Sequence, residues 1–495
     1  MIRLKPRAIL IPIGLACLCA SAVFGLTQRG TRTKQTETWR KVPPKSEAPR
    51  PFKLPLAREI KLDNGLTLVL IEDHRAPVVT ITVGIPVDSS SSGNIADLTN
   101  EMALTEATAE LITEGAGSRD SREMAREVET IGGRLSSSAN DDYAWLAVAV
   151  VAENTERMMD LLGEVLLHPT YPESEVALYK RNRIQKLVVQ RQDPSFLAGE
   201  QFDRIVYGSH PYAISAPTPA SVEALDRDKI VRFYDSRFTP NGSVTVIAGD
   251  FEPMRIETKA RAILGEWKPP RKTSADVPAS NNAGSSNAGS SAARVFLVDR
   301  QGSAQADFRI GGLAVRRSDA DYFPLLVANA VLGAGTNSRL FLNIRERRGY
   351  AYDVYSSVDA LKKAGTFLGA AESRTEVTVT AIKEMLAEFD RLGSEKVAAQ
   401  ELQNAKNYLN GLFSLSLSTQ SGVAERTLQT YMFELGRDYL EGYRSRIEAV
   451  TADQVEQVAR KYLRTDRVTI VVVGDGAKLK RELASVGPVS EVSAR

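Results

Sequence analysis

Residues 221–250 lie over residues 446–475 without a gap at an offset of 225, and this internal repeat limits the fold more than any composition figure. The identical pairs are Glu223/Glu448, Ala224/Ala449, Asp228/Asp453, Val246/Val471, Gly249/Gly474 and Asp250/Asp475. Apolar positions match as well, as in Leu225/Val450 and Ile230/Val455. An earlier strand-like run repeats at nearly the same distance, residues 69–73 falling on 295–299 at an offset of 226. Two offsets that agree this well indicate a duplicated domain. Residues 272–293, KTSADVPASNNAGSSNAGSSAA, separate the copies with a Ser/Asn/Ala/Gly composition that cannot build a core. The expected domains are therefore residues 56–271 and 294–485, with 272–293 as a flexible linker and 486–495 as a tail.

Within the first copy, Asp63-Asn64-Gly65 reads as a turn before a strand at 66–71, and 78–85 reads as a second strand. A helix follows, with Leu98, Met102, Thr105, Ala109 and Ile112 at helical spacing and Gly115 and Gly117 as its stop. Asp120 with Glu123 forms a capping-box pattern for the next helix, which ends at Gly132-Gly133. Residues 143–151 are strand-like, helical patterns cover 155–167, 173–192 and 219–235, and a strand closes the copy at 243–248. Strand pairs and runs of helices in place of strict alternation point to an α+β class.

Charge and residue usage remove several functions. Residues 1–22 carry a net +3 and residues 23–53 a net +6, so a total of +2 leaves −7 for residues 54–495. A mildly acidic body gives no nucleic-acid footprint. The two cysteines, Cys17 and Cys19, lie near the N-terminus, which takes disulfides, thiolate metal sites and cysteine nucleophiles out of the body. His74, His168 and His210 are far apart in sequence. His74 and His168 read as loop or surface residues, and nothing resembles a Ser/His/Asp or Cys/His arrangement.

Arg3, Lys5 and Arg7, the apolar run 8–19 and Ala20-Ser21-Ala22 follow the pattern of an export signal cut after Ala22. The run is shorter than the roughly 20 apolar residues of a membrane span. The expectation is an exported protein of the periplasm or cell envelope. A membrane is met only through an uncleaved or Cys17-lipidated N-terminus, if at all. Residues 23–55, basic and Pro-containing, read as a disordered leader.

Several motifs then point the same way. The first copy contains Tyr207-Gly208-Ser209-His210-Pro211-Tyr212 and Phe238-Thr239-Pro240-Asn241. The second contains Leu332-Gly333-Ala334-Gly335-Thr336-Asn337-Ser338-Arg339-Leu340-Phe341, leading into Ile344-Arg345-Glu346-Arg347-Arg348-Gly349-Tyr350-Ala351-Tyr352. With two halves joined by a loose linker, the chain resembles the pitrilysin/insulinase zinc peptidases and the mitochondrial processing peptidases. The resemblance implies two homologous α/β-roll domains forming a clamshell. It also implies that Arg345 and Tyr352, seven residues apart, contact substrate. From spacing alone they read first as an arginine paired with acids on its helix and a tyrosine in a strand core, and it is the surrounding signature that favours substrate contact.

Active members carry H-x-x-E-H on the first-half helix, where two His grip zinc and the Glu activates water. Anchored on Gly115, that motif falls on Glu106-Ala107-Thr108-Ala109-Glu110. Glu106 and Glu110 stand at the ligand positions and Ala109 at the base. The third ligand, a Glu, is expected near Gln185 and Lys186, where the chain is basic. Glu106 and Glu110 are thus expected to be solvated replacements on a helix kept for packing, with no metal and no catalytic residue in this chain. The resemblance implies a non-catalytic subunit that pairs with a zinc-bearing homologue around an extended peptide. The partner supplies zinc, water and base, and Arg345 and Tyr352 hold the peptide carbonyl. The alternatives are an envelope scaffold or peptide-binding protein that reuses the fold without proteolysis and, third, a self-sufficient enzyme of unfamiliar chemistry.

Overall fold

The computed structural model describes residues 55–87, 94–268 and 294–493. The expected signal, leader and linker lie outside these residues, apart from Pro55. The first half runs β1 (Ala57–Lys61), β2 (Thr67–Glu72), β3 (Val78–Pro86), α1 (Ile95–Leu111), β4 (Gly115–Ala116), β5 (Arg119–Asp120) and α2 (Ser121–Thr130). It continues through β6 (Arg134–Ala139), β7 (Tyr143–Val151), α3 (Thr155–Leu167), α4 (Glu173–Gln190), α5 (Pro194–Tyr207), α6 (Pro219–Glu223), α7 (Arg227–Arg237), β8 (Val244–Gly249) and α8 (Pro253–Leu264). The second half runs β9 (Arg294–Asp299), β10 (Gln305–Leu313), α9 (Tyr322–Leu332), β11 (Ala351–Ala360), β12 (Gly365–Arg374) and α10 (Thr378–Ser394). It ends with α11 (Ala399–Ser416), α12 (Gln420–Met432), α13 (Tyr439–Ala449), α14 (Ala452–Tyr462), β13 (Thr469–Gly474), α15 (Gly476–Leu483) and β14 (Val489–Val492). No helix of the described residues is long and apolar enough to cross a membrane.

The duplication is visible in the sheets. The first has the order β6-β7-β3-β8-β2-β1, the second β11-β12-β10-β13-β9-β14. Position by position, β6 matches β11, β7 matches β12, β3 matches β10, β8 matches β13 and β2 matches β9. In each, the matched pair β2/β8 or β9/β13 is parallel: Thr67 pairs with Val244 and Arg294 with Thr469. This register sets β2 and β9 at an offset of 227, one more than the sequence comparison gives. A one-residue slip turns a strand over, so the match rests on Leu68/Val295 and Leu70/Leu297, all buried, and not on Val69/Val295. Only the last strand breaks the symmetry. β1 pairs antiparallel to β2, whereas β14 pairs parallel to β9 and draws the expected tail into the sheet.

Each half lends a helix to the other. α5 packs on β10 and β13 of the second sheet, and α12 packs on β3 and β8 of the first. Phe202 and Val206 are buried against Val471, and Leu197 and Ala198 against Val298 and Val473. On the other side a Cβ added at Gly84 would stand 2.7 Å from Leu428 Cδ1, so glycine is what lets α12 reach the sheet. The sequence reading passes over α5, although its signals are present: Asp193 accepts from the Ser195 amide at 2.9 Å, Pro194 opens the first turn and Gly208 ends the helix. The expected helix 219–235 is two, because Asp226 caps a fresh start, its carboxylate accepting from the Lys229 amide at 2.8 Å.

Candidate functional site

α1 is held by its cap, Asn94 accepting from the Asp97 amide, and by packing on β6, β7, α4, α6 and α7. Ala109 is 1% exposed and faces the core, while Glu110 is solvent-exposed as the sequence suggests. Glu106 is not. Arg183, reaching from α4, donates Nε to its Oε2 at 2.9 Å and Nη2 to its Oε1 at 3.0 Å. Burial raises the Glu106 pKa, opposed by the Arg183 guanidinium, with Glu110 raising it further and Lys186 lowering it. The expectation of a solvated Glu106 is therefore corrected: 20% and 10% of the two side chains remain exposed, and they form a bidentate pair. The residue brought to Glu106 is Arg183, not Gln185 or Lys186 two or three positions on. Only folding sets which turn of α4 faces α1.

This donor set does not fit a zinc ion held in the H-x-x-E-H manner. Both Glu106 oxygens are committed to a guanidinium, the position of the base is a buried alanine, and the α4 residue opposite is a cation, which would repel a metal. Tyr179 places a buried hydroxyl without a hydrogen-bond partner beside this pair, and its pKa is raised by burial and by Glu106 and Glu110.

A pocket of about 190 Å³ opens beside Glu106, lined also by Met102, Asp141, Tyr212 and Ser215. Asp141 reaches solvent, but the cleft around it and the nearby Asp142, Asp359 and Asp203 push its pKa up to about 7. Asp203 is pushed up to about 6, mainly by burial, although Ser215 donates to it at 2.8 Å. The halves meet here. Asp142 accepts from the Tyr212 hydroxyl and, at 3.1 Å, from the Lys362 amide of the β11–β12 turn. His210 caps the short turn that carries Tyr212, its Nδ1 accepting from the Tyr212 amide at 3.2 Å, and burial lowers its pKa to about 4. No spacing pattern marks the carboxylate group in advance, because its members come from the β6–β7 turn, α5 and β11.

Arg345 and Tyr352 lie in the other half and are brought together by two local irregularities. Phe341–Arg347 forms a π-helical turn, a form found often at functional sites. Gly349 follows with φ +63°, the left-handed conformation that turns the chain into β11. β11 then begins with a bulge: Ala351 pairs with Ser373 and Asp353 with Glu372, leaving Tyr352 as the extra residue. A bulge re-aims its side chain, and Tyr352 is 80% exposed. The Arg345 guanidinium carbon lies 5.1 Å from the centre of the Tyr352 ring and 4.6 Å from that of Phe341. Its nearest carboxylate contact, Nε to Glu346 Oε1, is 3.9 Å. Tyr352 is thus no strand-core residue, and the guanidinium is stacked rather than tightly paired with an acid. A fixed cation beside an exposed phenol offers N–H and O–H donors to one acceptor.

Two family models match the chain. One described as "Insulinase (Peptidase family M16)" covers residues 68–216, and one described as "Peptidase M16 inactive domain" covers residues 224–409. Among curated proteins, an uncharacterized zinc protease of Mycobacterium leprae is 26% identical over 440 residues, spanning 85% of this chain and 92% of that protein. An uncharacterized zinc protease of Bacillus subtilis is 21% identical over 83% of this chain and 97% of its own length. A crystal structure of a peptidase M16 inactive domain from Pseudomonas fluorescens superposes with a TM-score of 0.75 at 22% identity, covering 85% of this chain and 98% of that one. A Helicobacter pylori protease superposes with a TM-score of 0.76 at 17% identity, covering 85% and 100%.

Proposed function

The chain belongs to the M16 peptidase family, and from that premise we propose that it is the non-catalytic subunit of a two-chain zinc peptidase acting on extended peptides. One observation carries the reading: the position of the zinc site holds an arginine–glutamate pair, while Arg345 and Tyr352 stand together and accessible. A homologous partner with an intact H-x-x-E-H supplies the metal and the base. On this chain, the Arg345 guanidinium and the Tyr352 hydroxyl donate to the peptide carbonyl at the reacting bond and steady negative charge that develops there. β11 is an edge strand of its sheet among the described residues. An extended peptide added to its free edge would run past Tyr352, held by main-chain hydrogen bonds with little sequence preference. The clasp of α5 and α12 supports a second chain as the other shell, because the two halves of this one grip each other. The N-terminal pattern of residues 1–22 supports export, and with it a role in the periplasm or envelope.

The test is reconstitution. The purified chain is expected to contain no stoichiometric zinc and to cleave nothing, with turnover appearing on mixing with an exported homologue that bears the zinc motif. In that mixture Arg345→Ala and Tyr352→Phe should each lower turnover about 10- to 100-fold, with assembly intact by size-exclusion chromatography. Unchanged turnover in both variants would remove the assigned role. The competing scaffold reading draws on the stacking of Arg345 between Phe341 and Tyr352, which gives it a structural occupation of its own. Failure of every exported zinc-bearing homologue to assemble with the chain would favour it.

A further inference from the structure

The second half contains a pocket of about 470 Å³ that includes neither Arg345 nor Tyr352. It occupies the topological corner that the Glu106 pocket occupies in the first half. In both, one wall includes chain just after the third strand of the sheet order together with the next helix, here after β10 and on α9, and another is the segment after the exchanged helix, here α12. The duplication therefore forms a concavity at the same place twice. Its chemistry differs: Phe323, Leu435 and Tyr439 give it an apolar lining, and Arg317 and Arg446 give it cations.

Its charged residues can be paired off. Asp319 holds Arg316 at 2.8 Å, Glu434 holds Lys362 at 2.9 Å, and Asp438 holds Arg446 at 2.6 Å. Arg317 has no carboxylate partner among the described residues. It donates Nη1 to the Tyr322 hydroxyl, and its guanidinium carbon lies 4.5 Å from the centre of the Tyr322 ring and 5.8 Å from that of Tyr439. Its Nε is buried and has no acceptor. A half-buried guanidinium held by ring faces and one hydroxyl is an electrostatic demand left open, since a charge withdrawn from water is otherwise paired.

We propose that this pocket binds a carboxylate joined to an apolar body, the chemistry of a peptide C-terminus or an acidic side chain. Arg317 supplies the counter-charge, and Phe323 and Tyr439 pack on the apolar part, a combination typical of ligand pockets of this size. The site does not depend on the catalytic partnership, so the chain alone tests it and failure leaves the subunit reading untouched.

The experiment is calorimetric titration of the full chain with N-acetyl-Ala-Ala-Phe as the free acid, the same peptide as its C-terminal amide, N-acetyl-Ala-Asp-Phe-amide, and inorganic phosphate. The free acid is expected to bind at least 10-fold more tightly than the plain amide and than phosphate. Binding of the aspartyl amide at the strength of the free acid would extend the site to acidic side chains, and its failure would restrict the site to C-termini. Arg317→Gln should weaken the free acid at least 10-fold. Because that change also disturbs the packing of Tyr322 and Tyr439, Ala449→Trp provides a second arm. Ala449 is an exposed lining position on α13, and filling the mouth there should abolish binding with Arg317 untouched. Equal binding of acid and amide, no binding of the acid at millimolar concentration, or full binding in Ala449→Trp would each overturn the proposal.

Discussion

Arg183 is the residue on which the reading of the first half turns. Residues 173–190 are basic in their second half, and the sequence shows that an acid is missing there; it does not show that one of those cations has a partner 77 residues upstream. Removing that partner tests the pair. Glu106→Ala would strand a guanidinium that is 10% exposed and is expected to cost about 1–3 kcal/mol in urea unfolding. Adding Arg183→Met should return part of that loss, the sign of a pair whose desolvation was a burden to both members. Asp141 offers a second residue-scale test. Its pKa rises from 3.8 to about 7 in the folded chain, so folding binds a proton more tightly than the unfolded chain does. The contribution to stability is present at low pH and is lost as pH climbs from about 4 through 7. Asp141→Asn should therefore melt close to the parent below about pH 4 and above it at pH 8. The difference should be on the order of 1–2 °C, because the group still reaches water.

At the scale of elements, the helix starts were legible and one essential helix was not. Asp120 and Glu123 form the expected capping box, with the Glu123 amide donating to Asp120 at 2.8 Å and the Asp120 amide to Glu123 at 3.1 Å. Such boxes are local, four residues deciding them, and this is why a sequence reveals them. β6 was missed because it is an edge strand of Arg, Leu, Ser and Ala with no apolar alternation strong enough to mark it. α5 and α12 matter more. Their apolar faces are satisfied in the opposite half, so they resemble ordinary amphipathic helices until the partner sheet is known. Leu428→Ala removes a side chain that is 2% exposed and packs close to Gly84. It is expected to lower stability by about 2–5 kcal/mol in chemical denaturation. Gly84→Val should destabilise comparably from the other side by overfilling the same contact, by about 1–3 kcal/mol.

For the whole molecule, the exchange of α5 and α12 predicts that the halves are not independent. Residues 56–271 and 294–493 produced separately should each leave an apolar sheet face uncovered and behave as aggregating or partly folded chains. Produced together, they should form a soluble complex with cooperative unfolding. Two autonomous, well-folded halves that do not associate would contradict the clasp. Buried aromatic and aliphatic side chains join the two halves, so they are expected to move as one body.

The sequence by itself determined the duplication, the α+β class, the absence of acids on the basic end of α4 and the local capping and turn chemistry, because each depends on residues a few positions apart or on repetition along one line. Even the repeat was read one residue out at β2, since register belongs to hydrogen bonds between strands and not to letters. Tertiary structure alone decided that Glu106 meets Arg183, that Tyr352 is pushed outward by a bulge onto the face of Arg345, that four carboxylates from three elements come close together, and that Arg317 has no counter-ion among the described residues. Each of these depends on which faces the packing brings together across long sequence separations, or on a backbone irregularity that spacing does not reveal.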